Sequence, residues 1–135
     1  MPEITREKPV IVKILSIVLF FFGIFAFVGS IFLWGTGFIL NFPEGVDYSF
    51  PVVDIFINAP TSIIAAFGLW KLKRYGYIVS QFVAGFYIYA SGVIFVEVAQ
   101  VGPPYPLEII GPQILAVLVA IVLVFYLWRL QELFI

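Results

Sequence analysis

A chain of 135 residues that is 63% hydrophobic and only 11% charged, with a mean hydropathy of +1.14, has too little polar surface to clothe a water-soluble globule and reads as an integral membrane protein. Its net charge of -1 and its few basic residues, which lie beside apolar runs and not in one patch, exclude nucleic acid as a partner. Cysteine and histidine are absent, which excludes disulfides, thiol relays, histidine-held metals and histidine-ligated haem, and with them the four-span thiol oxidoreductases and b-type cytochromes.

Met1 to Lys8 is a short polar leader carrying Glu3, Arg6, Glu7 and Lys8. The apolar run from Val10 to about Leu40, broken only by Lys13, exceeds the ~20 residues that cross a bilayer and the ~7–15 of a signal-peptide core, so it is expected to be a retained first span. Ser16, Gly23, Ser30 and Gly37 recur at every seventh residue, with Ala26 four before Ser30. Small residues two helical turns apart form a stripe along which another helix can come close, and the expectation is a packing seam in preference to a pore lining, which would carry more hydroxyls and amides.

Asn41 to Phe50 collects Pro43, Glu44, Gly45, Asp47 and Ser49 and is predicted as the first external loop. The second span is predicted over 51–70, with Pro51 in its first turn, where a missing N–H costs nothing. Asp54, Asn58, Thr61 and Ser62 give it the most polar face of the chain. Pro60 deprives the Phe56 carbonyl of its helical partner, so a kink is expected there. Intramembrane polar groups beside a kink are candidates for a solute or ion path. The plainer expectation is that they hydrogen-bond neighbouring helices while Asp54 complements the positive end of its own helix.

Gly68-Leu69-Trp70-Lys71-Leu72-Lys73-Arg74-Tyr75-Gly76-Tyr77 then forms a basic and aromatic hairpin. Lys71, Lys73 and Arg74 belong on the cytoplasmic side of a bilayer, and Trp70 and Tyr75 at headgroup level, so the stretch sets depth and orientation together. It resembles the Gly-Leu-Trp, basic, aromatic-Gly hairpin of small prokaryotic four-span membrane proteins of unknown function, which often have Trp where this chain has Tyr75. The resemblance implies a four-span membrane fold and supplies no catalytic residue.

The third span is predicted over 75–96. Gln81, Tyr87 and Tyr89 are its candidate polar contacts and Gly85 and Gly92 its packing residues; a mid-membrane tyrosine hydroxyl needs a partner, for which Asn58 or a hydroxyl of the second span is nearest in estimated depth. Glu97 and Gln100 lead into the stiff connector 101–106, and the fourth span is predicted over 107–129, with Glu108 in its first turn, a bend at Pro112, a packing pair in Ala116 and Ala120, and an interface anchor in Trp128 and Arg129.

Every base falls on one predicted side and Glu44, Asp47, Asp54, Glu97 and Glu108 on the other. The expectation is therefore an all-α, up-down-up-down bundle of four membrane helices, a single domain over 1–135, with both termini cytoplasmic in the cell membrane. Catalytic residues, cofactor and metal are expected to be none, because no nucleophile, base or metal set can be assembled. The expected function is that of a structural or accessory protein that packs against copies of itself or a larger membrane complex. The alternative is a small oligomeric transporter or channel with a polar path along the second span.

Overall fold

The computed structural model describes residues 7–37, 40, 49–105 and 107–135. Met1 to Arg6 of the leader, Glu44 and Asp47 with most of the first loop, and Pro106 lie outside the described residues. The fold is all-helical, with four helices long and apolar enough to cross a membrane.

The first span is α1, Val10–Thr36. The second begins as α2, Ser49–Val53, passes through a π-helical turn at Asp54–Asn58 and continues as α3, Ala59–Trp70. The third is α4, Arg74–Val101, and the fourth α5, Leu107–Arg129, followed by a 3₁₀ turn at Gln131–Leu133. At 1.5 Å per residue α1 and α4 are each about 40 Å long against about 30 Å of hydrocarbon, so both must tilt or protrude.

The ends depart from the predicted spans for local reasons. The first helix stops at Thr36 and not near Leu40, because Gly37 takes a left-handed conformation (φ 73°) that ends the helix and that glycine adopts without steric cost. The third runs five residues past Val96: Glu97 and Gln100 do not end it, and it stops where Gly102 adopts φ 83° before two prolines.

Lys8 sits over the Trp70 ring, 4.0 Å from its centroid. The backbone of Ile135 bonds both sides of the hairpin, its N–H donating to Leu72 (3.3 Å) and its carbonyl accepting from Arg74 (3.2 Å). The start of α1, the hairpin and the end of the described chain therefore share one end of the bundle, which makes the four spans up-down-up-down. Neighbours in sequence pack as neighbours in space, α1 on α3, α3 on α4 and α4 on α5, whereas α5 barely touches α1. The larger core cluster lies towards the hairpin end, where Val12, Leu15 and Leu19 of α1 are linked with Leu69 of α3, Val83 and Tyr87 of α4, and Leu123 and Leu127 of α5.

Among the described glycines, those of the hairpin are the most closely approached. A Cβ built on Gly68 would lie 2.6 Å from the Gly76 backbone nitrogen, and one built on Gly76 would strike the backbone of Gly68 and Leu69. The two helices touch main chain to main chain, which is why both positions are glycine. Beyond Trp70 the chain closes in a Schellman motif: Lys73 N–H donates to the Gly68 carbonyl (2.9 Å) and Leu72 N–H to that of Leu69 (3.0 Å). Glycine is usual at the left-handed position of this motif, yet Leu72 holds it with φ 53°. Its side chain is buried in the main core, so a burial term of ~2 kcal/mol offsets a left-handed cost of ~1–2 kcal/mol.

Candidate functional site

The residues that bear chemistry meet along one line through the first three spans. Pro60 has no N–H, and one turn earlier the helix widens so that Ala59 N–H reaches back five residues to the Asp54 carbonyl. Four residues are slightly more than one α turn and less than one π turn. The wide turn from Asp54 to Asn58 therefore offsets the drift that the following α turn introduces, and Asp54, Asn58 and Ser62 fall into line. The kink expected at Pro60 takes the form of this π turn.

Those side chains bond in sequence. Asn58 Nδ2 donates to Asp54 Oδ1 (3.0 Å), Ser62 Oγ donates to Asn58 Oδ1 (3.0 Å), and the Ser62 and Tyr87 hydroxyls lie 2.7 Å apart. The direction follows from donor counting. A carboxylate only accepts, so Asn58 must turn its amide nitrogen to Asp54 and its oxygen to Ser62; Ser62 then spends its one proton on that oxygen, and Tyr87 must donate to Ser62. At the far end Ser30 of α1 adds a long contact of 3.5 Å to Asp54 Oδ2. Every donor in the line thus points towards Asp54. Ser62 is 0% exposed and Tyr87 4%, deep enough that either group left unpaired would carry a desolvation cost.

A second set of bonds ties α4 to α5. Gln81 Nε2 donates to the Leu123 carbonyl (2.9 Å), and the Ser91 hydroxyl donates to Gln113 Oε1 (3.0 Å). Among the described residues no buried side-chain nitrogen or oxygen lacks a partner.

The predicted polar residues thus divide. Asp54, Asn58, Ser62 and Tyr87 are brought together, and the hydroxyl partner expected on the second span is Ser62. Gln81 serves the α4–α5 contact instead. Thr61 turns back on its own helix, donating to the Ile57 carbonyl at 2.6 Å. Tyr89 is 74% exposed, two residues and so about 200° of helix away from Tyr87, and takes no part in the line. Gln113 was not singled out in the sequence, although a lone amide directly after Pro112 in an apolar span was a signal for it.

The predicted packing residues divide as well. Ser16, Gly23, Ala26 and Ser30 are buried, with Gly23 against α3, where a Cβ would meet Ile63 at 2.7 Å and the Ala59 carbonyl at 3.1 Å. Ala120 is buried and Ala116 half-buried. Gly85 and Gly92 are exposed, and an added Cβ there would meet nothing within 4 Å, so neither packs against another helix among the described residues. Both share an outward face of α4 with Tyr89. At the hairpin end Trp70, Lys71, Lys73, Arg74, Tyr75, Trp128 and Arg129 are exposed as a ring, and the Arg74 guanidinium lies 5.5 Å from the Tyr77 ring centroid.

Among the described residues no group of three or more acidic side chains is placed to hold a metal ion. No protein-family model matches the chain, and no curated protein or solved structure matches it.

Proposed function

We infer that the protein is a structural or accessory component of the cell membrane, working by helix association with copies of itself or with a larger membrane complex and carrying out no reaction of its own. The observation that supports this is the line from Asp54 to Tyr87, whose members spend their hydrogen-bonding capacity on one another and join the second span to the third. Interhelical bonds of this kind hold transmembrane helices together, at ~0.6 kcal/mol each on average. The outward Gly85 and Gly92, unfilled within the chain, give a partner helix room to approach closely. The bases at the hairpin end support a cytoplasmic placement of that end and of both termini. The hairpin's likeness to small prokaryotic four-span proteins belongs to the same reading.

The alternative, an oligomeric transporter with a path along the second span, draws on the convergence of donors on Asp54: a bundle that opened along this line would present a carboxylate and three polar neighbours. One experiment separates the two. Wild-type protein is purified from its native membrane in gentle detergent and its complexes are weighed, while Ser62→Cys and Ala65→Cys, in a chain free of native cysteine, are exposed to an impermeant thiol reagent in intact membranes. The accessory reading expects a complex of copies or of foreign chains that dissociates in Gly85→Leu/Gly92→Leu, with both cysteines protected. A solitary wild-type chain whose Ser62→Cys and Ala65→Cys labelled rapidly would overturn it.

A further inference from the structure

On the outer surface of the bundle, α1 and α3 leave a groove of about 260 Å³ between Ile17, Phe20 and Phe21 on one side and Phe67 and Trp70 on the other, with Ala66 on its floor. The lining is almost wholly apolar, as a surface that meets acyl chains requires, but the mouth at the hairpin end is basic. Lys8 holds its ammonium over Trp70, one wall of the groove. Lys13, exposed, stands three and four residues ahead of Ser16 and Ile17 on α1, so helical geometry puts it directly above the other wall. Lys71, exposed, follows Trp70. The acid nearest to these bases in sequence is Glu7, which is exposed.

We propose that this groove is a binding site for one anionic phospholipid, whose acyl chain lies between the phenylalanines and whose phosphate is held by Lys8, Lys13 and Lys71. Charge complementarity selects this occupant. A plain apolar furrow takes any chain from the bilayer, whereas three ammonium groups at its mouth favour a head group with net negative charge over a zwitterionic one. The indole of Trp70 serves both parts, packing on the chain below and fixing the Lys8 ammonium above. The proposal stands independently of how the protein associates, since it concerns a different face of the bundle from Gly85 and Gly92.

The test compares palmitoyl-oleoyl phosphatidylglycerol with palmitoyl-oleoyl phosphatidylcholine bound to the full chain in detergent, counted as lipid adducts by native mass spectrometry across a titration. Phosphatidylglycerol is expected to bind at least ~5-fold more tightly, the gain attached to a single base at a membrane surface. In Lys8→Gln/Lys13→Gln/Lys71→Gln the preference should fall below twofold, while Lys73→Gln/Arg129→Gln, with as exposed a pair of bases at the same end, keeps it. Ile17→Trp, which fills the furrow and leaves every charge in place, should abolish the saturable adduct, with circular dichroism confirming an unchanged helical content. Equal binding of the two lipids, retention of the preference by the triple variant, or equal loss in the Lys73→Gln/Arg129→Gln control would each overturn the site. So would a wild-type dimer that excludes lipid and is dissolved by Ile17→Trp, which would assign the groove to a second copy of the chain.

Discussion

A methyl group at Gly76 tests the backbone-to-backbone approach of α3 and α4. In Gly76→Ala the new Cβ would press on main-chain atoms of Gly68 and Leu69, and in Gly68→Ala on the Cα and nitrogen of Gly76. Backbone cannot turn aside as a side chain does, so α3 and α4 must part by roughly 1 Å before ordinary contact is restored. Separation there also pulls on Leu69 and Leu72 in the main core and on the strand-like bonds to Ile135. Overpacking costs ~1–3 kcal/mol, and an immovable neighbour argues for the upper end. Alanine is a better helix former than glycine by ~1 kcal/mol, which works the other way. The expected net loss is about 2 kcal/mol for either variant, roughly a 30-fold shift in the unfolding constant. It is measured by SDS titration in mixed micelles followed by circular dichroism and tryptophan fluorescence. Gly85→Ala and Gly92→Ala are the controls: open space surrounds both positions, so no overpacking loss is expected and the helix propensity of alanine should leave them unchanged or up to ~1 kcal/mol more stable. The reasoning is refuted if Gly68→Ala and Gly76→Ala unfold with the wild type, or if the controls lose as much at low protein concentration.

Two further outcomes are expected. Tyr87→Phe removes the only donor to the Ser62 oxygen in the line, and Ser62→Ala leaves both Tyr87 and Asn58 short of a partner; the single variants should each lose about 1 kcal/mol, and a double-mutant cycle should return a coupling of ~0.6 kcal/mol, whereas additive losses would show that the 2.7 Å contact carries no energy. Reporter fusions at Lys73 and after Ile135 should be active as cytoplasmic domains and those at Gly45 and Pro104 as external ones, with an external C-terminus counting against the orientation drawn from the bases.

The class of the protein and the number of its spans were legible in the amino-acid sequence because a bilayer imposes a simple rule: about twenty apolar residues for each crossing, with every backbone group bonded within its own helix. Turn chemistry between the runs placed most helix ends to within a few residues, and the exceptions at Gly37 and Gly102 arose where one glycine's dihedral angle, and not the hydropathy, ended the helix. Periodicity also marked Ser16, Gly23 and Ser30 as one face of α1. Which small residues touch a neighbour was decided only by the tertiary structure. Gly23 and Gly85 look alike in sequence, yet one meets Ile63 and the other open space, because the azimuth of a helix is set by the helices beside it. The polar line was half legible: the i, i+4 spacing aligned Asp54, Asn58 and Ser62, while the choice of Tyr87 over Tyr89 depended on how α4 rotates against α3. The meeting of Gly68 with Gly76 had no periodic signal at all. It follows from the tightness of a hairpin whose two helices pack backbone against backbone, a distance that no property of the residues taken singly can fix.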